Sequence, residues 1–300
     1  MTLSLSVPAD FNLMRTIYSH GWSSLPPFSV QNDGPALRQI VRLSGGKTVS
    51  LRTAAHGSRK LVIEPLSPVN LTGPERREII AIVKSCLRLD EDISKFYAST
   101  RRHPRFRWVA KTGSGRLLRA PTVFEDVVKM ICTTNCSWAL TQAMTGNLCR
   151  KLGFPMPDGG FAFPTSAAIG ETSEAFMRKE IRAGYRSPYL LELSRRIASG
   201  EIDIESWRHS KLPTEALFKQ VRSVKGVGPY AAGNILKLLG RYDYLGIDSW
   251  CRKQFSELHK DGRKSSDKVI EKCYGPFGTW RGLFFWLDMT KHWYEKEFPF

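Results

Sequence analysis

Acidic residues and paired cysteines are scarce in this sequence. Its 300 residues hold 28 Asp and Glu against 45 Lys and Arg, a formal net charge of +17 at pH 7. The six cysteines are dispersed without any CxxC spacing, so we expect free thiols in a reducing compartment and no structural zinc or iron–sulfur site. Long apolar runs and a basic-then-apolar leader are also missing. We therefore expect an intracellular protein without a membrane partner.

The excess of positive charge concerns binding partners rather than the fold. A pI near 9.8 favours nucleic acid or another anionic surface, although a merely soluble basic protein is an equal alternative on charge alone. Seven basic residues lie between Arg101 and Arg119, with Phe106 and Trp108 among them. This run is compatible with phosphate contact, but a solvated face is the simpler interpretation.

Periodicity changes along the chain from strand-like to helical. Runs rich in β-branched residues at 39–43, 48–52 and 60–64 are separated by SGGK and HGSR, which predicts a small antiparallel sheet. After Gly73 the apolar spacing is helical, as at Phe124, Val127 and Ile131, and the Gly/Pro-rich segment 151–164 predicts a surface loop. The predicted fold class is α+β, with an antiparallel β domain over 1–72 and a mostly α-helical body over 73–300.

The segment VKGVGPYAAGNILKLLGRYDYLGIDSW, from Val224 to Trp250, carries the clearest functional pattern. One helix ends near Ser223 and the next begins at Pro229, which suits a first helical turn. Gly226 and Gly228 permit a tight reversal and remove side chains that would keep a ligand away. The amides of such a turn suit one phosphate group of a nucleic-acid backbone. An ordinary turn between two helices is the alternative.

Asp248 follows this turn by about twenty residues. A short loop after the second helix could return its carboxylate to the side of the turn that faces a phosphate. An acid after an apolar run is also a common helix cap. Asp248 could therefore cap a helix that starts at Ser249.

With these residues in place, the chain resembles the helix-hairpin-helix DNA glycosylase superfamily. The hairpin is joined by three longer similar segments, in the same order as in eukaryotic-type 8-oxoguanine DNA glycosylase, with GRLLRAP upstream of them. They are VVKMICTTNCSWALTQAMTGNLCRKLG (127–153), AGYRSPYLLELSRRI (183–197) and YGPFGTWRGLFFWLDM (274–289). The resemblance covers roughly the last two-thirds of the chain. The predicted sheet resembles the N-terminal domain of bacterial 3-methyladenine DNA glycosylase II.

The resemblance implies a double-stranded DNA partner that contains a damaged base. It implies that Gly226, Val227 and Gly228 hold a DNA phosphate, with Lys225 beside them. In the family a monovalent cation commonly mediates this contact, here at the backbone of Gly226 and Gly228, and no other cofactor is implied. We expect a monomer.

The resemblance also assigns roles to four side chains. It makes Asp248 the catalytic carboxylate and places Asn135 in the gap that the flipped nucleotide leaves. Tyr185 and Arg186 match a wedge aromatic and an arginine near the orphaned base. The alternatives are a helix-end cap for Asn135 and an exposed pair at a helix start for Tyr185 and Arg186.

The position of the lysine that forms a Schiff base in lyase-type members holds Tyr230 here. A phenol cannot form an imine, so the sequence predicts a monofunctional hydrolase. Lys225 and Lys237 lie nearby but do not occupy the matching position. Each is more simply interpreted as a phosphate contact or a solvated side chain.

The substrate pocket departs from the 8-oxoguanine pattern. The expected base pocket consists of Trp286, Gly282 and Tyr230. Trp286 matches a phenylalanine that stacks on the base, whereas Gly282, four residues earlier, replaces a glutamine that reads its edge. Leu140 replaces an arginine that holds the opposite cytosine. A pocket with an indole and few side chains that hydrogen-bond to the base edge suits cationic N-alkylated purines. The sequence therefore predicts an N-alkylated purine as the substrate. The alternatives are an oxidised-purine glycosylase and a catalytically silent helix-hairpin-helix DNA-binding protein.

Overall fold

The computed structural model describes residues 2–31, 36–157 and 159–294. Its first layer is a five-stranded sheet in which every neighbouring pair is antiparallel, in the order β1-β5-β4-β3-β2. The strands are β1 (Leu3–Ser6), β2 (Phe28–Gln31), β3 (Ala36–Arg42), β4 (Thr48–Ala55) and β5 (Lys60–Pro65). The three predicted strands are confirmed as the centre of this sheet. The two outer strands were not predicted, because each is only four residues long.

The rest of the described chain is mostly helical, which confirms the α+β class. The α-helices are α1 (Leu13–Ile17), α2 (Gly73–Cys86), α3 (Ser94–Arg102), α4 (Arg107–Thr112), α5 (Val123–Cys132), α6 (Trp138–Leu152), α7 (Ser166–Gly170), α8 (Glu174–Lys179), α9 (Ser187–Ala198), α10 (Thr214–Arg222), α11 (Pro229–Leu238), α12 (Ser249–His259), α13 (Asp267–Tyr274) and α14 (Arg281–Thr290). Short 3-10 segments lie at Gly21–Ser24, Pro104–Phe106, Gly184–Arg186, Glu205–His209, Gly275–Trp280 and Lys291–Tyr294. No helix in the described ranges is both long and apolar enough to cross a bilayer.

Sheet and helices share a hydrophobic core. Leu51 of β4 and Ile63 of β5 are fully buried in the same cluster as Val127 of α5 and Leu236 of α11. Helix α2 begins at Gly73 because Thr72 forms a reciprocal capping pair with Glu75. The domain boundary between residues 72 and 73 stays a prediction, since the shared core joins its two sides.

Two local predictions need correction. The segment 151–164 is more than a loop, because α6 continues to Leu152 and two short strands, β6 (Phe154–Pro155) and β7 (Phe161–Ala162), pair within it. The basic run is solvated only in part. Arg116 and Arg119 are buried, where Arg116 donates to the Glu91 carbonyl at 2.8 Å and Arg119 forms an ion pair with Asp90.

Candidate active site

The two glycines of the hairpin between α10 and α11 have different roles. Gly226 has a φ of +84°, and a Cβ there would lie 2.8 Å from the ring of Tyr189. Its backbone conformation and its packing therefore both require glycine. Gly228 has an ordinary φ of −78°, and no atom lies within 4 Å of its Cβ position. Gly228 thus leaves open space beside the start of α11, where a ligand backbone can approach.

Val227 supports the hairpin from inside. Its side chain is buried, and its amide donates to the carbonyl of Val224 at 3.1 Å. Its N–H is therefore already used within the hairpin, and the expected contact of Val227 with a phosphate stays a prediction. The carbonyl of Gly228 accepts from Ala232 at 2.9 Å within α11. Of the two glycines expected to hold a cation, Gly226 alone keeps a carbonyl that no backbone amide of the described chain engages.

A cavity of about 680 Å³ opens beside this hairpin, and we call it the hairpin cavity. It brings together residues that lie far apart in the sequence. Its lining includes Asn135, Tyr185, Gly226, Gly228, Pro229, Tyr230, Asp248, Ser249 and Arg252. Most of the residues assigned to DNA contact by sequence therefore share one surface with Asp248.

Asn135 and Tyr185 lie side by side at this cavity. Asn135 is exposed and has a left-handed φ of +46°, and its amide nitrogen lies 3.4 Å from the Tyr185 hydroxyl. Tyr185 is 45% exposed and its hydroxyl donates to the Thr134 carbonyl at 3.3 Å. An exposed aromatic ring with a tethered hydroxyl is oriented before any ligand arrives.

Arg186 lies behind this pair rather than beside it. It is only 3% exposed, and its guanidinium donates to the carbonyl and, at 3.3 Å, to the hydroxyl of Thr134. The same guanidinium lies 4.4 Å from the centroid of the Tyr185 ring. The alternative of an exposed pair is therefore wrong for Arg186. The guanidinium holds the Thr134 loop and Tyr185, instead of projecting toward an orphaned base.

A second cavity, of about 510 Å³, is lined by residues of the helical body and of the segment 20–22, and we call it the aromatic cavity. Five of the eight tryptophans line it. They are Trp22, Trp138, Trp250, Trp286 and Trp293. Its volume is in the range of small-ligand sites, and flat indole walls suit a flat heterocycle.

Trp286 is held firmly in this wall. Its Nε1 donates to the carbonyl of Ser19 at 2.9 Å, and its ring meets Trp293 edge to face, with centroids 5.6 Å apart. The N-terminal segment that holds Ser19 also contributes His20, whose Nε2 lies 2.5 Å from the carbonyl oxygen of Leu118. Burial lowers the pKa of His20 to about 4. Its imidazole is therefore neutral at pH 7.

Asp248 and Tyr230 line both cavities. Asp248 is the N-cap of α12, where its Oδ1 accepts from the amide of Cys251 at 2.7 Å. The capping interpretation is thus correct, and the same carboxylate also lies at the junction of the two cavities. Burial, and then the charge of Asp248, raise the pKa of the Tyr230 phenol. Tyr230 therefore stays protonated and offers no nucleophile.

Gly282 does not line the aromatic cavity, so the expected space beside Trp286 is not there. A Cβ at Gly282 would lie 2.2 Å from the carbonyl oxygen of Tyr244 and 2.7 Å from that of Tyr242. Its amide donates to the Tyr242 carbonyl at 2.7 Å. Glycine is required here because the start of α14 lies against the backbone of residues 242–244.

Lys237 contradicts both interpretations given to it from sequence. It is 2% exposed, lines the aromatic cavity, and donates to the carbonyl of Leu245 at 2.6 Å. Its Nζ lies 5.3 Å from the centroid of the Trp286 ring. Burial lowers the pKa of this amine to about 8. By contrast, Lys225 is exposed at the hairpin and forms an ion pair of 2.6 Å with Glu192.

The overall fold of this chain also occurs in solved structures of DNA glycosylases. The described fold aligns with 3-methyladenine DNA-glycosylase from Archaeoglobus fulgidus at a TM-score of 0.75, covering 97% of this chain and 99% of that one at 19% identity. The chain has the fold of the helix-hairpin-helix DNA glycosylases. The 8-oxoguanine glycosylase/lyase of Clostridium acetobutylicum, in complex with double-stranded DNA containing cytosine opposite 8-oxoguanine, aligns at a TM-score of 0.73. That match has 22% identity and covers 95% of this chain and 92% of that one.

Relatives found by sequence point in the same direction. The DNA-3-methyladenine glycosylase of Bacillus subtilis is 22% identical over 229 residues, which are 70% of this chain and 74% of that protein. A second Bacillus subtilis relative is 21% identical over 56% of this chain. The matched region covers only 59% of the length of that relative. No family model matches the chain. The resemblance inferred from the segments is thus confirmed.

Proposed function

We propose that this protein is a monofunctional DNA glycosylase that flips a damaged purine out of duplex DNA and hydrolyses its N-glycosidic bond. The observation that carries this proposal is the position of Asp248, at the junction of the hairpin cavity and the aromatic cavity. A phosphate held at the hairpin and a base held among the indoles would place the sugar between them, beside this carboxylate. Mere phosphate binding needs neither the acid nor the aromatic cavity.

The chemistry follows from charge. As the base departs, positive charge develops on the sugar, and a fixed carboxylate stabilises that state more than the ground state. The cap bond from Cys251 holds Oδ1, so the orientation of the carboxylate is set before DNA binds. The cap does not use Oδ2, which can orient or deprotonate the attacking water.

The proposal excludes a lyase step because of the positions of the nearby amines and of Tyr230. Tyr230 lies at the junction with Asp248 and is a phenol. Lys225 is ion-paired to Glu192 on the surface. Lys237 lines the aromatic cavity but not the hairpin cavity, which supports a position near the base rather than the sugar.

Four residues support a grip on the DNA backbone and the duplex gap. The open side of Gly228 suits a phosphate, and Lys225 adds positive charge beside it. Asn135 and Tyr185 face the hairpin cavity, where they suit the gap left by a flipped nucleotide. We include a monovalent cation at the Gly226 carbonyl in the proposal, and we expect the protein to act as a monomer.

An N-alkylated purine is the lesion class that the relatives named for 3-methyladenine favour. The aromatic cavity also accommodates an oxidised purine, the second candidate. One observation favours this second candidate: the indole face of Trp286, which was expected to attract a cationic base, already faces the amine of Lys237.

A gel assay on lesion-containing duplexes tests the proposal. Purified protein is incubated with duplexes that carry 3-methyladenine, hypoxanthine or 8-oxoguanine, and products are compared with and without alkali. We expect base release that gives strand cleavage only after alkali, and no covalent adduct with borohydride. Cleavage without alkali, or a trapped adduct, would show a lyase. DNA binding without release of any lesion would instead indicate a non-catalytic DNA-binding protein.

A further inference from the structure

A buried amine lies in the aromatic cavity, and the chemistry proposed for Asp248 does not use it. Lys237 projects from α11, seven residues after Tyr230, into the aromatic cavity. Within the described residues, the carbonyl of Leu245 is the only hydrogen-bond acceptor that its Nζ contacts. An ammonium has three N–H donors, so two remain for a ligand. Burying a charged group with one partner is costly, and a ligand acceptor would reduce that cost.

Positive and negative charge lie at different places around this cavity. Asp248 is the carboxylate among its described lining residues, and it lies at the junction with the hairpin cavity, whereas Lys237 lines the aromatic cavity only. The other titratable groups that line the cavity or contact these two are His20, Cys136, Tyr230, Cys251 and His292. Burial raises the pKa of Cys251 and Tyr230 and lowers that of His20, so these three are neutral at pH 7. With the sugar at the junction of the two cavities, as in the proposed function, the acid would face the sugar and the amine would face the base.

We propose that Lys237 is a specificity-determining residue, whose ammonium donates a hydrogen bond to an acceptor atom of an uncharged purine lesion and disfavours a cationic one. This inference rests on the proposed function. It narrows the N-alkylated class to uncharged members such as 1,N6-ethenoadenine, and it admits hypoxanthine and 8-oxoguanine. All three present ring nitrogen or carbonyl acceptors. In DNA, 3-methyladenine is cationic and would place a second positive charge beside an ammonium already 5.3 Å from the Trp286 ring.

The hydrogen bond would also assist the reaction. An uncharged base takes up the electrons of the glycosidic bond as it leaves, so negative charge builds on its acceptors. A donor placed there stabilises the transition state more than the ground state. A cationic base leaves as a neutral species and gains no such assistance. Lys237 should therefore increase the rate of excision of uncharged bases and decrease that of cationic bases.

The test is single-turnover excision of hypoxanthine, 1,N6-ethenoadenine and 3-methyladenine by the wild type and by Lys237→Met. Lys225→Met is the matched control, because it removes a surface lysine close in sequence. We expect Lys237→Met to slow release of the two uncharged bases at least tenfold while release of 3-methyladenine is unchanged or faster. Lys225→Met should leave the ratio between the classes unchanged.

A pH series gives a second measurement, the pH dependence of the preference between the two lesion classes. This preference would not change with pH if Lys237 had only a structural role. In the wild type, the preference for uncharged lesions should fall as the pH rises above 8, and Lys237→Met should not show this change. Equal slowing of both classes in Lys237→Met, or a wild-type preference for 3-methyladenine at pH 7, would overturn the inference. If the wild type releases no lesion at all, the proposed function fails. Release with an unaltered class ratio in Lys237→Met refutes only the role of Lys237.

Discussion

The amide of Cys251 donates a 2.7 Å hydrogen bond to Oδ1 of Asp248, and this bond joins the stability of α12 to the position of the candidate catalytic acid. A helix cap and a catalytic carboxylate were competing interpretations of one residue in the sequence. In the structure they are compatible, because the cap uses one oxygen and fixes the other at the cavity junction. The two roles can therefore be separated by substitution.

Asp248→Asn should retain the fold and lose the chemistry. Asparagine caps helices about as well as aspartate, whereas alanine costs roughly 1 kcal/mol. Loss of one preorganised charged group typically costs about 3 kcal/mol in barrier, a hundredfold or more in rate. We expect Asp248→Asn to unfold in urea like the wild type and to bind lesion DNA normally, with at least hundredfold slower single-turnover excision.

Asp248→Ala is the control for that experiment, because it removes the cap as well. It should be about 1 kcal/mol less stable in the same urea titration. Parallel losses of stability, DNA affinity and turnover in Asp248→Asn would mean that the residue is only a cap.

The hairpin glycines should respond oppositely to alanine. Gly228→Ala meets an ordinary φ and open space, so its stability should not change. Its added methyl group would occupy the approach of a phosphate, and we expect affinity for DNA to fall severalfold, equally for damaged and undamaged duplexes, because phosphates carry no sequence or lesion information. Binding titrations at fixed salt measure this. Unaltered affinity in Gly228→Ala would place the phosphate elsewhere.

Gly226→Ala provides the opposite control. Its positive φ costs an alanine roughly 1–2 kcal/mol, and its Cβ would meet the ring of Tyr189. We expect a lower midpoint of thermal unfolding for this variant. A variant as stable as the wild type would show that the hairpin relaxes easily.

The features predicted from sequence are those encoded locally. The hairpin turn around Gly226 and Gly228 follows from glycine and proline at fixed spacing. The three central strands, β3, β4 and β5, follow from β-branched runs between turn residues. Asp248 was singled out because it lies about twenty residues after the turn, and its catalytic role was implied by the family resemblance. None of these inferences requires knowledge of which distant segments meet.

The walls of the aromatic cavity could not be predicted in this way. Trp22 and Trp293 are separated by almost the whole chain, and both line one cavity. Gly282 and Lys237 were misinterpreted for the same reason, since helical spacing gives a face but not what packs against it. The backbone of Tyr244 fills the space beside Gly282. The buried end of α11 places Lys237 among the indoles.

Asn135→Gly should impair excision from duplex DNA more than from single strands. The left-handed φ of +46° at Asn135 is tolerated by glycine without strain, so the side chain can be removed without distorting the loop. If this side chain fills the gap behind a flipped base, its loss leaves the gap in the base stack empty. The flipped state is then less stable relative to the stacked state. We expect about tenfold slower excision in duplex DNA and little change in single strands.

Ser137→Ala is a suitable control for that variant, because it perturbs the same loop by removing the N-cap of α6 without touching the cavity. It should lower stability without altering the ratio of duplex to single-strand excision. An equal effect of Asn135→Gly on both substrates would support a local structural role for Asn135.

Lys237→Met should be more stable than the wild type at pH 7, with a difference that shrinks at alkaline pH. Burial lowers the pKa of Lys237 from 10.5 to about 8 in the folded state. Between these values the unfolded chain binds more protons than the folded one, so this group makes wild-type stability rise with pH. Below pH 8 its destabilising contribution is full, up to about 3 kcal/mol. Urea denaturation of both proteins from pH 6 to 10 measures the difference, with Lys225→Met as the exposed control. Stability curves of the wild type and Lys237→Met that run parallel across this range would show that the amine is not buried as a charge.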